Sequence, residues 1–364
     1  MGSRRRAHLA LRCALLAGLL LAGVGVAGQS PASARPERPA PIGSDPFWAG
    51  TAYSGDFPDP TVMRVGRTFY ASSTTIAALN IPVTTSTDLR TWTPRRSSDP
   101  ARPWLNDAMP SGAVWAKKQR TANGKVFWPT WAPSIARLGT RRFVAAYSVP
   151  RAGDGRRCIS LARSASPLGP FTDRSRAPLT CLGGGAIDPQ IFRDRGAVWL
   201  LYKVEGSPDR IMVRRMTGSA AGFSPASRNV VLMTPRAAWE GAVVENPAMI
   251  RFNSRLWLVY SGNGYGSHRY ATGHAVCRSV SGPCRRQGRL LATGPHLAGP
   301  GGAAPFVDLA GRLRLAYHAW RTGNIGYPSN DGCVDTKKGC AQRRMYVAIL
   351  GPGNGDTLVV RRKY

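Results

Sequence analysis

One short pattern occurs five times in this chain of 364 residues, and it restricts the possible folds more than any other feature. Each copy has a proline, an apolar residue two positions later, a turn with glycine or a small polar residue, and a second run rich in aromatic or aliphatic side chains. Two of the copies read "PDPTVMRVGRTFYASST" and "IDPQIFRDRGAVWLLYK". This pattern is typical of a strand, a turn and a second strand. The five prolines are Pro60, Pro133, Pro189, Pro247 and Pro305.

The spacing of the prolines indicates how the five copies are arranged. They are 73, 56, 58 and 58 residues apart. A nearly fixed period of this length indicates a repeat architecture, and each period has room for about four short strands, the size of a propeller blade. Helical periodicity is scarce. The sequence therefore predicts an all-β fold, a five-bladed β-propeller that occupies residues 47–364. The alternative is a β-sandwich with unrelated proline-containing hairpins.

The residue before each proline is the next informative position. A proline is tolerated at the first residue of a strand, and it favours an extended conformation for the residue that precedes it. Because the first strand of each blade lines the axis of a propeller, these positions should converge at one end of the central channel. They hold, in chain order, Asp59, Ala132, Asp188, Asn246 and Ala304, and Trp131 and Glu245 come just before the second and the fourth of them.

Three carboxylates therefore occupy matching positions in a chain that has only 19 acidic residues. Aspartate is also a common turn residue, which is the alternative explanation for any one of them. Carboxylates that converge on one point repel each other and shift each other's pKa values, which suits glycoside hydrolysis by an acid and a base or nucleophile. Binding of a hard cation is the second chemistry that fits. Nearby aromatic residues favour a sugar ligand, and they are Trp128, Trp131, Trp239 and Tyr265.

Several motifs together resemble glycoside hydrolase family 43, the five-bladed arabinanases, arabinofuranosidases and β-xylosidases. The resemblance covers roughly residues 50–350 and depends on "FPDPTV", "IPVTTSTDLRTW", "WAPSIARLG", "SPLGPF", "AIDPQIF", "VVENPAMI" and "AYHAW". It implies that Asp59 is the general base, that Asp188 tunes the pKa of the acid and orients it, and that Glu245 is the general acid. Glu240 is the rival acid and Asp56 the rival base. We expect substrate contacts from Trp131 and His318, with a structural role as the alternative for the histidine.

The chain departs from the family pattern at three positions. Ser134 stands where the family often has Asp, Asn246 where it often has Gly, and Gly302 where several members have a His near a central metal ion. A structural Ca²⁺ in the central channel therefore stays an open question, and we expect no other cofactor.

The N-terminus is typical of an export signal. Three arginines at positions 4–6 precede an apolar stretch over 9–26, and "PASA" at 31–34 provides small residues for cleavage. The sequence predicts a signal peptide over 1–34 and a disordered leader over 35–46, with an uncleaved membrane anchor as the alternative. After cleavage we expect an extracellular monomer with no integral membrane segment.

The six cysteines beyond the signal agree with export. They fall into three local pairs, which predicts disulfides rather than a zinc site, because no C-x₂-C spacing occurs. The predicted pairs are Cys158–Cys181, Cys277–Cys284 and Cys333–Cys340.

The net charge of +31 is extreme, and four of the arginines belong to the predicted signal, so the mature chain would carry +27. The arginines are scattered through every segment, so we do not expect a nucleic-acid partner and instead expect a surface that favours anionic polymers. The predicted function is a secreted, inverting glycosidase of arabinofuranose- or xylose-containing polysaccharide or oligosaccharide. The alternatives are a non-catalytic carbohydrate-binding propeller and a binder of an anionic cell-wall polymer.

Overall fold

Each copy of the proline pattern forms the two inner strands of one antiparallel sheet, and five such sheets form a β-propeller. The computed structural model describes residues 55–96, 106–327 and 341–363. The prediction of an all-β, five-bladed propeller is confirmed. The signal peptide predicted over 1–34 and the leader predicted over 35–46 lie outside the described residues, as does the predicted Cys333–Cys340 pair.

The first two blades differ in the completeness of their sheets. Blade one contains β1 (Thr61–Val65), β2 (Thr68–Ser72), β3 (Val83–Ser86) and β4 (Thr93–Pro94). A two-stranded hairpin follows, β5 (Gln119–Arg120) and β6 (Val126–Phe127). Blade two contains β7 (Trp131–Gly139), β8 (Arg142–Pro150) and β9 (Arg157–Ser164). Single bridges at Thr172 and Thr180 continue its outer edge in place of a fourth strand.

The other three blades each have four strands in chain order. Blade three contains β10 (Gly185–Asp194), β11 (Ala197–Glu205), β12 (Arg210–Met216) and β13 (Val230–Met233). A short 3-10 helix, Ala238–Glu240, leads into blade four, which contains β14 (Val244–Phe252), β15 (Arg255–Gly262), β16 (Ala271–Cys277) and β17 (Cys284–Leu291). Blade five contains β18 (Leu297–Val307), β19 (Leu313–Arg321), β20 (Arg344–Pro352) and β21 (Leu358–Lys363). No helix among these described residues is long and apolar enough to cross a membrane.

The first strands of blades two to five carry a bulge near their start, and in blade one the corresponding residues, Asp59 and Pro60, lie directly before the ladder, which begins at Thr61. In blade three the pairing of Ile187 with Lys203 is followed by that of Gln190 with Leu201, so Asp188 and Pro189 are outside the ladder. Blades two, four and five show the same interruption. In blade five the residue in this position is Gly302, two residues before Ala304, the residue that the proline pattern predicts. The prediction for blade five is therefore wrong, because "GPGGAAP" displaces the proline from the bulge.

The bulged residues are left-handed, which corrects the extended conformation expected before proline. Their φ angles lie between 42° and 56° for Asp59, Ala132, Asp188, Asn246 and Gly302. Aspartate and asparagine accept this region more readily than most residues, and an alanine there is strained. The preference set by proline is overridden because a bulge frees the residue from the ladder and turns its side chain toward the axis.

Hydrogen bonds between neighbouring blades hold the bulged residues in place. Four of their backbone N–H groups donate to a side chain of the preceding blade over 2.8–3.0 Å. The four acceptors are Nδ1 of His318 for Asp59, Oγ1 of Thr74 for Ala132, Oδ2 of Asp188 for Asn246 and Oγ of Ser261 for Gly302. The bulges therefore fix each blade against the next at the end where the carboxylates lie.

The hydrophobic core lies between adjacent sheets. A tyrosine near the middle of the second strand is fully buried in four blades, at Tyr147, Tyr202, Tyr260 and Tyr317. Blades one and five close the ring through a cluster that includes Phe57, Phe306 and Met345, and the amide of Phe57 donates to the carbonyl of Arg343 over 2.8 Å.

Two of the predicted disulfides are present. Cys158–Cys181 joins β9 to the segment beside it, and Cys277–Cys284 joins the ends of β16 and β17. Their sequence separations are 23 and 7 residues.

We predict that the Cys158→Ala/Cys181→Ala variant loses more stability than the Cys277→Ala/Cys284→Ala variant. Closure of the longer loop removes more entropy from the unfolded chain, which gives losses of roughly 3 and roughly 2 kcal/mol. Denaturant unfolding of both double variants beside the parent measures the difference. A larger loss in the Cys277/Cys284 variant would contradict the loop-length argument.

Candidate active site

A cavity of about 620 Å³ opens at the end of the propeller where the first strands begin. Blades one, three and four each contribute a carboxylate from or beside a bulge, namely Asp59, Asp188 and Glu245. Trp131 lines the same cavity from the start of β7. The structure thus brings together the three carboxylates and the aromatic residue that the sequence had placed around the axis.

The carboxylate of Asp59 is held by blades one and five. Its Oδ2 accepts a hydrogen bond from the hydroxyl of Thr74 over 2.7 Å, and its Oδ1 lies 3.3 Å from Nη1 of Arg343. Burial acts to raise the pKa of Asp59, but the guanidinium of Arg343 and the hydroxyl of Thr74 help to outweigh it, so the pKa lies below its ordinary value. Asp59 is therefore ionised at neutral pH and can accept a proton.

Asp188 is buried and close to the other two carboxylates. Its Oδ2 accepts the backbone N–H of Asn246 over 2.9 Å. Burial, and next the negative charges of Glu245 and Asp59, raise its pKa well above the ordinary value, while Lys203 acts in the opposite direction. Asp188 is thus close enough to both other carboxylates for its protonation to depend on their charges.

Both carboxylate oxygens of Glu245 have partners. Nζ of Lys203 lies 3.0 Å from Oε2, and the hydroxyl of Tyr270 donates to Oε1 over 2.8 Å. The same lysine contacts Asp209 at 2.9 Å. Burial acts to lower the pKa of Lys203, but Glu245 and Asp188 outweigh it, so the ammonium group stays charged. Burial raises the pKa of Tyr270 well above its ordinary value, so its hydroxyl remains a donor.

Arg343 connects the two ends of the described chain at the cavity wall. Its Nε donates to the hydroxyl of Tyr327 over 3.0 Å, and its backbone N–H donates to Oδ1 of Asp56 over 2.8 Å. The tyrosine hydroxyl lies 2.9 Å from the same oxygen of Asp56. Asp56, the rival base, therefore lines the cavity but is bound within this network rather than at a bulge.

His318 is fully buried behind Asp59, and it is not among the residues that line the cavity. Its Nδ1 accepts the backbone N–H of Asp59 over 2.9 Å, so the proton of the neutral ring is on Nε2. Burial lowers the pKa of His318 to about 3, so the ring is neutral at physiological pH. The structure therefore places this residue where it positions Asp59, rather than where the predicted substrate contact requires.

The described side chains do not fit a cation held by protein ligands in the channel. No group of three or more His, Cys, Asp or Glu residues with metal-binding geometry occurs within the described ranges. A Cβ at Gly302 would lie 2.5 Å from the ring of His318 and 2.7 Å from Oδ1 of Asp59, so no side chain fits there. The lone pair on Nδ1 of His318 is already used.

Aromatic residues and one further cation complete the cavity wall. The guanidinium of Arg157 lies over the ring of Trp131, with Cζ 3.0 Å from the ring centre, so one face of the indole is covered. Tyr265 also lines the cavity and is 40% exposed. By contrast, Trp128 packs in the core of blade two, and Trp239 packs against Tyr260 of blade four.

Glu240, the rival acid, is bound by neighbouring protein groups and does not line the cavity. It is fully buried, and its carboxylate contacts Arg286, the hydroxyl of Tyr260 and two backbone N–H groups. These partners use both of its oxygens.

Sequence reasoning missed four residues that hold the carboxylates, namely Thr74, Lys203, Tyr270 and Arg343. Lys203 directly follows the buried tyrosine of its second strand, as do Ser148, Ser261 and His318 in three other blades. This repeated tyrosine–polar pair was a readable signal for one of the four. Tyr270 and Arg343 belong to no such repeat.

Comparisons with known proteins identify the family of the chain. Residues 52–347 match the sequence profile of a family described as Glycosyl hydrolases family 43. The β-D-galactofuranosidase xynD of Aspergillus niger is 25% identical over 262 residues, which are 66% of this chain and 74% of that protein.

Solved structures share the fold. A thermostable family-43 glycoside hydrolase superposes with a TM-score of 0.64 at 23% identity, over 88% of this chain and 95% of that chain. An endo-arabinase from Bacteroides thetaiotaomicron gives a TM-score of 0.59 at 21% identity, over 84% and 98% of the two chains.

We predict that Asp56 makes stability fall as the pH rises. Burial raises its pKa to about 6, above the ordinary value of 3.8, so the folded chain holds this proton more tightly than the unfolded chain. Its stabilising contribution is full below about pH 4 and is lost as the pH rises through about 6. Relative to Asp56→Asn, the parent should lose about 2 kcal/mol of folding stability between about pH 4 and pH 7.

Denaturant unfolding at several pH values measures this difference. Asp194→Asn is a control of opposite sign, because a hydrogen bond from Arg251 lowers the pKa of Asp194, whose contribution is lost as the pH falls. A constant difference between the parent and Asp56→Asn across this pH range would refute the prediction.

Proposed function

The chain belongs to the glycosyl hydrolases of family 43, and from this premise we propose that it is a secreted enzyme that cleaves arabinofuranosyl or xylosyl linkages in polysaccharide with inversion. The observation that carries the proposal is the set of three carboxylates, Asp59, Asp188 and Glu245, in one cavity. Each has partners that fix its orientation, as expected for groups that act on a bound substrate.

In this proposal Asp59 is the general base that activates water. Its lowered pKa keeps it ionised. Thr74 and Arg343 hold its carboxylate, and the hydrogen bond from its backbone N–H to His318 holds its backbone. A base must reach the proton that it removes within hydrogen-bond distance, so fixed geometry is the first requirement.

Glu245 is the proposed general acid, which protonates the leaving oxygen. It lies one residue before the bulge of blade four, so it projects from a position beside that of the two aspartates. Asp188 is close enough to both carboxylates for their charges to raise its pKa, and its Oδ2 accepts the backbone N–H of Asn246, the residue after Glu245. This arrangement supports its role as the pKa modulator.

Inversion requires space for a water molecule between the base and the sugar, with the two carboxyl groups roughly 6.5–9.5 Å apart. Asp59 and Glu245 belong to blades one and four, which blade five separates. Their positions across the cavity support this wider separation over the roughly 5 Å of a retaining pair.

Two other functions stay as alternatives. A non-catalytic carbohydrate-binding propeller would not need three carboxylates in one cavity, so the intact set argues against it. A binder of anionic polymer through surface charge alone would not need the cavity.

The experiment is a screen of the purified chain on nitrophenyl arabinofuranoside, xyloside and galactofuranoside and on linear arabinan. The galactofuranoside is included because the curated relative is named a galactofuranosidase. Binding of these sugars without hydrolysis would favour the non-catalytic alternative. Turnover of the galactofuranoside alone would replace the proposed sugar.

We predict that Asp59→Asn folds normally and loses activity by ~10²–10⁴, because the amide keeps the hydrogen bonds of the bulge but cannot accept a proton. Steady-state rates on the best substrate of the screen measure the loss. Asp356→Asn, the same change at a carboxylate outside the cavity, should keep the parental rate. Near-parental turnover by folded Asp59→Asn would remove this residue from the role of base.

We predict an inverted product, with Glu245 as the acid. Because a nitrophenyl leaving group needs little protonation, Glu245→Ala should lose far less activity on the nitrophenyl glycoside than on the polymer. Product configuration is read by NMR at early times, and the two losses are compared in parallel. Glu205→Ala, which truncates another glutamate of the cavity wall, should affect both substrates equally. Retained configuration, or equal losses for Glu245→Ala, would overturn the assignment.

A further inference from the structure

The end of the propeller opposite the cavity carries arginines in every blade. The first strand of each blade starts at the cavity, so the turn into the second strand lies at the far end. Seven arginines of the first three turns form what we call the basal arginine surface, and they are Arg64, Arg67, Arg137, Arg141, Arg142, Arg193 and Arg195.

All seven side chains are exposed. None of them forms an ion pair with a carboxylate within the part of the chain that the structure describes. Carboxylates contact the arginines of the other two turns, because Asp194 of the blade-three turn contacts Arg251 of blade four and Asp308 of blade five contacts Arg312. The first three turns thus hold seven exposed arginines and one carboxylate, Asp194, which lies between Arg193 and Arg195 and contacts Arg251. Most of the positive charge of these three turns is therefore uncompensated.

The seven arginines are held by backbone contacts at a few points. Nη1 of Arg193 donates to the carbonyl of Arg137 over 3.3 Å, which connects the turns of blades two and three. Arg137 and Arg142 each donate once to a carbonyl of their own turn. Because a guanidinium has five N–H donors, most donors of these side chains remain available to a ligand.

We propose that the basal arginine surface binds a polysaccharide whose repeating units carry carboxylate groups, while the cavity at the opposite end acts on sugars. The planar guanidinium matches a carboxylate with two parallel hydrogen bonds, and a row of such groups fits a polymer with repeated anions. A polyuronate is also built from glycosidically linked sugars, the class of molecule that the cavity accepts. Such binding would raise the local concentration of cleavable linkages around the enzyme.

Two other polyanions fit the surface less well. Single-stranded nucleic acid is usually bound with aromatic side chains on which bases stack, and a membrane surface is usually bound with apolar side chains that insert. The large hydrophobic side chains that are exposed among the described residues do not include any in the first three basal turns. They are Val114, Leu182, Val230, Val231, Tyr265 and Leu309.

The test compares two triple variants that lose the same charge. The basal variant is Arg67→Gln/Arg141→Gln/Arg195→Gln. The control is Arg174→Gln/Arg210→Gln/Arg289→Gln, three exposed positions in the loop after β9, at the start of β12 and in β17. Thermal unfolding confirms that both are folded, and binding is measured on polygalacturonate, with dextran as the neutral polymer.

The parent and the control should bind polygalacturonate equally, and the basal variant should bind about tenfold more weakly, since each exposed pair contributes modestly. Added salt should weaken the binding of the parent more steeply than that of the basal variant. Turnover of a nitrophenyl glycoside should be the same in all three proteins. Absence of turnover in the parent would contradict the proposed activity and leave the binding comparison intact.

Four outcomes would overturn the proposal. They are no binding of polygalacturonate by the parent, equal weakening in both triple variants, tighter binding of duplex DNA or anionic vesicles than of polygalacturonate, and binding of poly(glycerol phosphate) in preference to polygalacturonate.

Discussion

The left-handed residue at the start of each blade is the constraint on which the rest of the structure depends. A residue with positive φ has left the ladder, so its N–H group needs another partner and its side chain turns toward the axis. The preceding blade supplies the partner in four of the five blades. Strain in such a residue costs of order 1–3 kcal/mol, and it persists because the neighbouring blades fix the bulge from both sides. The same contacts thus close the ring and aim the carboxylates.

The five equivalent positions carry different residue types and therefore have different roles. Asp59 and Asp188 place carboxylates at the bulge, whereas Ala132 and Gly302 leave space there, and the ring of His318 fills the space beside the glycine. Lys203 occupies the position in blade three at which other blades carry a hydroxyl or an imidazole. An ammonium group has no acceptor, so Lys203 cannot accept the backbone N–H of Asn246 in the next blade. Asp188 accepts that bond instead, and Lys203 is free to contact the carboxylate of blade four. The lysine at this position therefore links the surroundings of Asp188 and Glu245.

The sequence predicted the propeller and the three carboxylates because both depend on a repeat that proline marks. The prediction for blade five was wrong because the proline there lies three residues after Gly302 and does not directly follow the bulged residue. The sequence also predicted an extended residue before proline, because the preference of an isolated dipeptide carries no information about a bulge. Arg343 could not be found, since its place beside Asp59 depends on the closure of the ring across 284 positions of sequence.

That closure has a consequence for how the protein is made. The proposed base belongs to the first blade, yet His318 and Arg343, which fix its backbone and its carboxylate, come with the last blade. Domains form from the N-terminus as the chain is synthesised. A nascent chain with four finished blades would hold Asp188 and Glu245 in their sheets, but Asp59 would lack its partners. The proposed catalytic centre is therefore completed only when the final blade docks against the first, so a chain without that blade would lack the partners of Asp59.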